Sequence, residues 1–471
     1  MYRINRVKYK LYFFAFLREL RGLASMLNAM VVYMRIWFSI IVCISFFASS
    51  QSIFAQTNDI PRPAAFVLKK AYDFLEKEEI SKAIDVLEAF LGKGEKEIKP
   101  GGPDKKGYRH HLVYFTLGNC YLMADNPSKA VSYYNAALKE KPDFSPAWLN
   151  LAKCNYELKN HTQAGECFLK GYETSAEKKP EILYYSAVSF MADEDYATAL
   201  EVFGRLLTAH KDQVKLEWKE NIVQAYLAID QPRKALPFIE ELSEKSRGNK
   251  KKQWQEVRLY QYMNLNMNLQ ALEYARVLTR EYPVEPKWWK ALAHLHLMEN
   301  RYEKGLVALT VYGHVAPLTM EEKKLMAELN LTLGVPVQAT RFYEEILSEA
   351  MDLKIVKKLA ESYLYLHRHD EALQWVEKGL QKNVDEELLM LKGNLLYENK
   401  KYNAAMEVFD SIPKGTNSGH ALLMLGYSAW NAGHLDKAKH AFQMASKYPQ
   451  HQKTARKLLL QLEKIGSRER S

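Results

Sequence analysis

Small and large apolar residues recur along most of this chain at fixed offsets. Around Ala130 the set reads Tyr114, Leu117, Gly118, Tyr121, Ala130, Tyr134, Ala137 and Pro142, with successive spacings of 3, 1, 3, 9, 4, 3 and 5. A shift of 34 residues gives Trp148, Leu151, Ala152, Ala164, Phe168 and Gly171. Steps of three and four are the helical period, so each set predicts two helices joined by a turn. The small residue that opens the second helix falls at Ala83, Ala130, Ala164, Ala199, Ala235, Ala271, Gly305, Ala339, Ala372, Ala405 and Ala438. The gaps are 47, 34, 35, 36, 36, 34, 34, 33, 33 and 33. Four residues further on stands a large apolar side chain: Leu87, Tyr134, Phe168, Phe203, Ile239, Leu309, Tyr343, Val376, Phe409 or Phe442, with Ala275 departing. About eleven units lie between residues 64 and 451.

A small residue where two antiparallel helices cross lets their axes approach to about 8–10 Å. On the first helix that role falls to Gly118, Ala152, Ala187, Ala293, Ala327, Ala360, Gly393 and Gly426. No such unit buries its apolar face alone, so neighbours must stack to make the core. Pro142 and Pro283 stop a second helix before the next unit begins. A Lys-, Gly- and Pro-rich insertion at 92–107 reads as a mobile surface loop, and KSRGNKKK at 245–252 as an irregular one. Residues 56–63 form a short linker. Residues 452–471 supply a capping helix and tail, the helix spanning 452–465 with a polar outer face.

These residues and spacings resemble the tetratricopeptide repeat (TPR) signature W-x2-L-G-x2-Y…A-x3-F-x2-A…P. The resemblance implies an all-α fold, an α-solenoid of stacked helix–turn–helix repeats forming a right-handed superhelix. It also implies that the first helices line a concave groove that holds peptides or partner helices. Groove positions would include Phe115, Asn119, Asn150, Lys153, Tyr184, Lys290 and His294. One variation in the family grips a C-terminal carboxylate with Lys and Asn at set positions. Asn119 and Asn150 match two of these, but Phe115, Glu181 and Tyr185 hold the cationic ones, so that activity is not implied. Aromatic and mixed polar groups suit an extended or helical protein segment, with the aromatics as hot spots.

Composition agrees with helix nearly everywhere: 21 Gly and 16 Pro in 471 residues are few breakers. The formal charge of +10 invites a nucleic-acid reading. Residues 1–55 hold seven Lys/Arg and one acid, which leaves 59 basic and 55 acidic residues in the remainder. That near balance disfavours nucleic acid as a partner.

The charge-rich N-terminus has its own logic. Arg35 precedes thirteen uncharged, apolar residues, Ile36 to Ala48, and a small polar stretch that ends at Ala55. This is the layout of a secretory signal, too short for the ~20 residues that span a bilayer. Residues 1–55 are therefore read as the signal region, with Met34, or else Met30, as the true start. An uncleaved anchor is the competing reading, since Ile53 is a less usual residue three before the cut. Cys43 follows Val42 and lacks the small neighbour of a lipoprotein cysteine.

Chemistry is sparse. No phosphate-binding loop, nucleophile elbow or zinc-protease motif occurs, and no C-x-x-C. Cys120, Cys154 and Cys167 read as small buried hydrophobes, a Cys154–Cys167 bridge being the lesser alternative. His294 and His296, two apart on a helix, cannot share an ion. His367, His369 and Asp370 at a turn read as solvated rather than as a weak metal site, and His110 and His111 after the insertion have no third residue nearby at ligand spacing. Trp289 takes the core Trp position and leaves Trp288 as an exposed contact. No enzyme activity, cofactor or metal is expected.

The expectation is an exported, non-enzymatic scaffold that binds protein partners of a bacterial cell envelope, resident in the periplasm. The alternative is a membrane-anchored structural subunit of an envelope complex, such as TonB/ExbB/ExbD-type energy transduction or polysaccharide export. In it the membrane is met through the N-terminal segment alone. N-terminal sequencing of protein recovered outside the cytoplasm is expected to start at Gln56. A start far from there rejects the cleavage.

Overall fold

The computed structural model describes residues 60–99, 102–412 and 418–468. The signal region and the start of the linker lie outside the described residues. The described chain is all-α. Its helices are α1 (Arg62–Leu75), α2 (Ile80–Glu97), α3 (His111–Met123), α4 (Pro127–Glu140), α5 (Ser145–Glu157), α6 (His161–Thr174), α7 (Pro180–Ala192) and α8 (Tyr196–Ala209). There follow α9 (Leu216–Ala228), α10 (Pro232–Lys245), α11 (Gly248–Asn264), α12 (Asn268–Glu281), α13 (Pro286–Met298), α14 (Tyr302–Val315), α15 (Met320–Thr332) and α16 (Pro336–Glu349). The rest are α17 (Leu353–Tyr365), α18 (His369–Lys382), α19 (Glu386–Glu398), α20 (Tyr402–Asp410), α21 (Ser418–Asn431), α22 (Leu435–Ala445) and α23 (Gln452–Arg468). The odd-numbered helices up to α21 are first helices and the even-numbered are second helices. The chain divides into two compact units at Ala271–Leu272. Within each, consecutive helices pack on one another, α1 through α11 in the first and α13 through α23 in the second, as stacked helix–turn–helix repeats.

Each first helix ends the same way. A residue with positive φ closes it at Glu78, Asp125, Lys159, Glu194, Asp230, Asn266, Asn300, Gly334, His367, Lys400 and Gly433. Each lies five residues before the small residue that marks the repeat. The amide after it donates back across the turn, as in Asn126 N to Tyr121 O at 2.9 Å, Arg301 N to His296 O at 2.8 Å and Lys401 N to Leu396 O at 2.9 Å. This six-to-one bond satisfies a helix-end carbonyl. Nine of the eleven positions are not glycine, at a cost of about 1–2 kcal/mol each that the turn's bonds and packing offset.

Ten of the eleven small residues are alanines with no exposed surface, and Gly305 is buried as well. The first-helix glycines have a sharper role. A Cβ on Gly118 would lie 2.6 Å from the Tyr134 ring; on Gly393, 2.5 Å from Phe409; on Gly426, 2.4 Å from Phe442. The aromatic at the large apolar position of the second helix therefore lies flat on the first helix where the glycine leaves room. The last hairpin is covered by α23, which buries Ala455, Leu458 and Leu462 against it.

Three expectations need correction. The 92–107 insertion is shorter than a loop of that span, because α2 continues to Glu97. Gly94 lacks a side chain where the Tyr108 ring packs, and the Tyr108 hydroxyl and Lys106 ammonium both reach Glu97 Oε2 at 2.7 Å. Asp104 accepts from the amides of Gly107 at 2.8 Å and Arg109 at 2.6 Å, which fastens what remains. The 245–252 stretch is no loop either: Ser246 and Arg247 alone link α10 to α11, and its lysines begin a helix. Lysine is a good helix former, and Lys250 reaches Glu220 at 2.7 Å. The tryptophans exchange roles. Trp288 is buried, whereas Trp289 is half-buried and donates its Nε1 to Pro283 O at 2.8 Å, as Trp148 does to Pro142 O. Trp288 lies five residues before Ala293. The same offset from the first-helix small position gives Val113, Ala147, Trp218 and Trp254, all buried.

Gly426→Ala forces a methyl into the Phe442 ring and is expected to destabilise by about 1–3 kcal/mol. Gly204→Ala, with open space around it, is expected to stabilise by about 0.5–1 kcal/mol. Urea unfolding of the two variants checks the contrast.

Candidate partner-binding surface

The side of each unit lined by first helices is tied together by polar side chains. The residue just after the first-helix small position reaches the one two before that position in the next hairpin. Tyr72 meets Thr116 at 3.4 Å, Asn150 Nδ2 donates to Asn119 Oδ1 at 2.8 Å, and Lys358 pairs with Glu328. Other rungs join the same helices. Asn221 Nδ2 donates to the Tyr184 hydroxyl at 2.8 Å, and Lys215 pairs with Glu181 at 3.1 Å. In the second unit Lys290 meets Glu322 at 3.2 Å, Lys357 meets Asp385 at 2.9 Å, and Asn431 donates to Tyr397 at 3.1 Å.

The expected groove residues fall into three places on this wall. In the first unit, Asn119, Asn150 and Tyr134 form one network, the Tyr134 hydroxyl also donating to Asn119 Oδ1 at 2.8 Å. Asn150 is buried and Asn119 half-buried. Phe115 beside them is not a groove contact but core: it is 4% exposed and packs edge-on against Phe144 at 5.1 Å. It shares its offset with Tyr184 and Lys290, but here the Tyr134 and Phe144 rings close over it. Lys153 is half-buried, 3.9 Å from Glu157, whose carboxyl is raised by burial.

Tyr184 forms the second place. It stacks on Trp218 at 4.6 Å with planes 13° apart, and Lys215 lies 4.8 Å over the Trp218 ring. Burial, with Tyr185 adding to it, pushes the Tyr184 phenol well up, so it remains a neutral group.

Lys290 and His294 stand together in the second unit, where Glu322 joins them. Glu322 also accepts from the Thr319 amide at 2.9 Å, closing a capping box at the start of α15, and from Tyr312 at 3.4 Å. Burial alone would raise the Glu322 carboxyl, but the Thr319 amide and Lys290 outweigh it and hold it below its ordinary value. His294, expected to line the groove, is 5% exposed. Burial first, then Lys290, bring its pKa down to about 4, with Glu322 opposing.

Sequence reasoning passed over Trp218, Asn221, Glu322 and Lys358. Asn221 was within reach, since it is offset from Val223 as Asn150 is from Ala152. Glu322 was visible as the acid of a T-x-x-E capping box. Trp218 and Lys358 carry no motif.

Cys120, Cys154 and Cys167 are free and buried, and burial pushes their thiols up to about 12. His367 forms a left-handed turn, and His369 Nδ1 lies 3.4 Å from Glu398. Among the described residues no three His, Cys, Asp or Glu side chains gather as a metal site would require. A hollow of about 500 Å³ lies beside α8, lined by Tyr172, Leu183, Gly204, Arg205, Thr208 and Ala209.

Sequence models of the tetratricopeptide repeat match residues 114–171, 357–419 and 420–451. Response regulator aspartate phosphatase E of Bacillus subtilis (strain 168) is 33% identical over 150 residues, 30% of this chain and 38% of that protein. The match thus spans well under half of that relative. Among solved structures, the Naa15/Naa10 complex bound to HypK-THB is similar over 80% of this chain and 67% of that one (14% identity, TM-score 0.39). Yeast Tom70 is similar over 86% and 96% (14%, 0.29). A tetratricopeptide repeat protein of Parabacteroides merdae ATCC 43184 is similar over 64% and 99% (15%, 0.27).

His294 is neutral in the fold and has an ordinary pKa near 6.5 when unfolded. The stability this contributes is full above pH 6.5 and is lost as pH falls from 6.5 toward 4, by roughly 3 kcal/mol at most. Urea midpoints of the native protein are expected to fall across that window. The slope is expected to be shallower in His294→Gln, though not flat, because His111 and His296 are also held down to about 4.

Proposed function

The chain belongs to the tetratricopeptide repeat family, a scaffold for protein–protein interaction, and from that premise we propose that it is an exported, non-enzymatic adaptor of the bacterial envelope. The carrying observation is the wall of first helices. Its aromatic, amide and ion-paired groups are already held in place by their neighbours. Binding a peptide or helix there orders few further side chains, so less of the interaction energy is spent on loss of freedom. Tyr184, half-buried and fixed from beneath by its stack on the buried Trp218, offers an aromatic anchor of the kind found at interfaces. Asn119, with its acceptor occupied by Asn150 and Tyr134, retains amide hydrogens for a partner's carbonyl.

Export to the periplasm is supported by Arg35 and the apolar run Ile36 to Ala48. In the second reading the protein is an anchored subunit retained in the membrane by an uncleaved N-terminal segment, favoured by Ile53 before the cleavage point. Alkaline extraction of envelopes separates the two: the cleaved adaptor is released and the anchored subunit stays.

The combined variant Asn119→Ala, Tyr184→Ala tests the wall. Cross-linking in intact cells, followed by mass spectrometry, is expected to show envelope proteins on the native protein and at least tenfold less on the variant. Undiminished cross-links in a variant with native helix content would reject the wall as the site. Turnover of a substrate by the purified protein alone would reject the non-enzymatic reading.

A further inference from the structure

Charge is distributed unevenly along this chain. Residues 437–471 hold nine Lys/Arg and two Glu, whereas residues 56–436 hold 50 Lys/Arg and 53 Asp/Glu. From Lys437 to Leu462 there is no acidic residue. The stretch covers α22 and most of α23, so its cations share the end of the second unit. Lys437 pairs with Asp410 at 2.8 Å. Lys439, Lys447, Lys453, Arg456 and Lys457 are all exposed and make no ion pair among the described residues. This sets the region apart from the lysines of α13, α15 and α17, where Lys290, Lys323, Lys324, Lys357 and Lys358 each have an acidic partner.

Helix α23 divides into two faces. Ala455, Leu458 and Leu462 are buried against the last hairpin, while Lys453, Arg456, Lys457 and Leu460 face solvent. Leu460 is 61% exposed, one turn beyond Arg456 and Lys457. An exposed leucine at the end of a cationic stripe has no use on a phosphate backbone, but suits a surface with charge outside and hydrocarbon beneath.

We propose that the exposed face of α22 and α23 is a docking surface for an anionic lipid bilayer, with lysine and arginine meeting the phosphate headgroups and Leu460 entering the boundary below them. Each cation near such a surface contributes about a fivefold gain in partitioning, so five act together as a salt-sensitive anchor. The anchor is separate from the apolar N-terminal segment and does not rest on the reading of the repeats as an adaptor.

The test is co-sedimentation of the full chain with phosphatidylcholine vesicles and with vesicles in which phosphatidylglycerol replaces a third of the lipid. The charge-rich N-terminal segment is the same in every variant, so the change in the ratio of the two affinities between variants isolates the contribution of α23. The native protein is expected to favour anionic vesicles more than tenfold at low salt, the preference shrinking at high salt. The variant Lys453→Glu, Arg456→Glu, Lys457→Glu is expected to lose that preference, and Leu460→Ala to weaken it severalfold. Lys69→Glu, Lys70→Glu, Lys93→Glu carries the same change of charge on exposed residues of the first hairpin and is expected to keep it. Helix content by circular dichroism confirms that each variant is folded. A ratio near one for the native protein, or an equal loss in the first-hairpin variant, overturns the proposal. Tighter binding to a single-stranded oligonucleotide than to anionic vesicles at the same salt overturns the lipid assignment.

Discussion

Every hairpin of this protein depends on one backbone event, the left-handed residue that ends each first helix. It reverses the chain in a few residues and sets the angle at which the second helix returns. It also lets the following amide reach a helix-end carbonyl five residues back, as Asn160 N does to Asn155 O at 2.8 Å. The close approach of Gly426 to Phe442 depends on that angle, since an aromatic can lie flat on the first helix only when the two axes are near. The stack in turn requires every hairpin to have the same thickness. Identical turns make identical hairpins, and identical hairpins can share a core with whichever neighbour comes next.

The repeat could be read from the sequence while its turn could not, and the reason is physical. A crossing point admits only a small side chain, so Ala or Gly stands at all eleven places and the spacing announces itself. The turn constrains the backbone, and its bonds and packing allow Glu, Asp, Lys, Asn, His or Gly there. No single residue type marks it. The same distinction explains the misread lysines at 250–252. A cationic run looks like a solvated loop, but the four-carbon stems are good helix material, and an acid on the preceding hairpin receives Lys250. Phe115 and His294 were placed on the groove because the family lines its groove there. An offset along the helix fixes the direction of a side chain but not how far neighbours close over it. Trp288 and Trp289, adjacent in sequence, differ by about 100° around the helix, and that rotation decides which one is buried.

The wall of first helices has a double economy. Surface ion pairs such as Lys357 with Asp385 contribute little to stability individually, about 0–1 kcal/mol. They can be exchanged for a partner's charges at small cost to the fold. Hydrogen bonds at the half-buried rungs are different, since removing Asn119 takes the shared acceptor from both the Tyr134 hydroxyl and the Asn150 amide. The wall therefore combines rungs that a partner can replace with rungs that keep the helices in register while it does so.

The first hairpin departs from the pattern that the later ones share. Two residues past the small position of each later first helix lies a buried side chain, from Cys120 and Cys154 through Ala225 to Ser428. In α1 that place is Asp73, exposed and charged. Five residues before the small position, where Val113, Trp218 and Leu388 are buried, α1 carries Phe66 at 72% exposure. Another hairpin of the same kind laid on α1 would bury the carboxylate of Asp73 without a counter-charge, a cost of several kcal/mol that covering one phenylalanine cannot offset. At the other end α23 spends its apolar residues on the last hairpin and turns its cations outward. At both ends of the described repeats, exposed charge stands on the face that a further hairpin would cover.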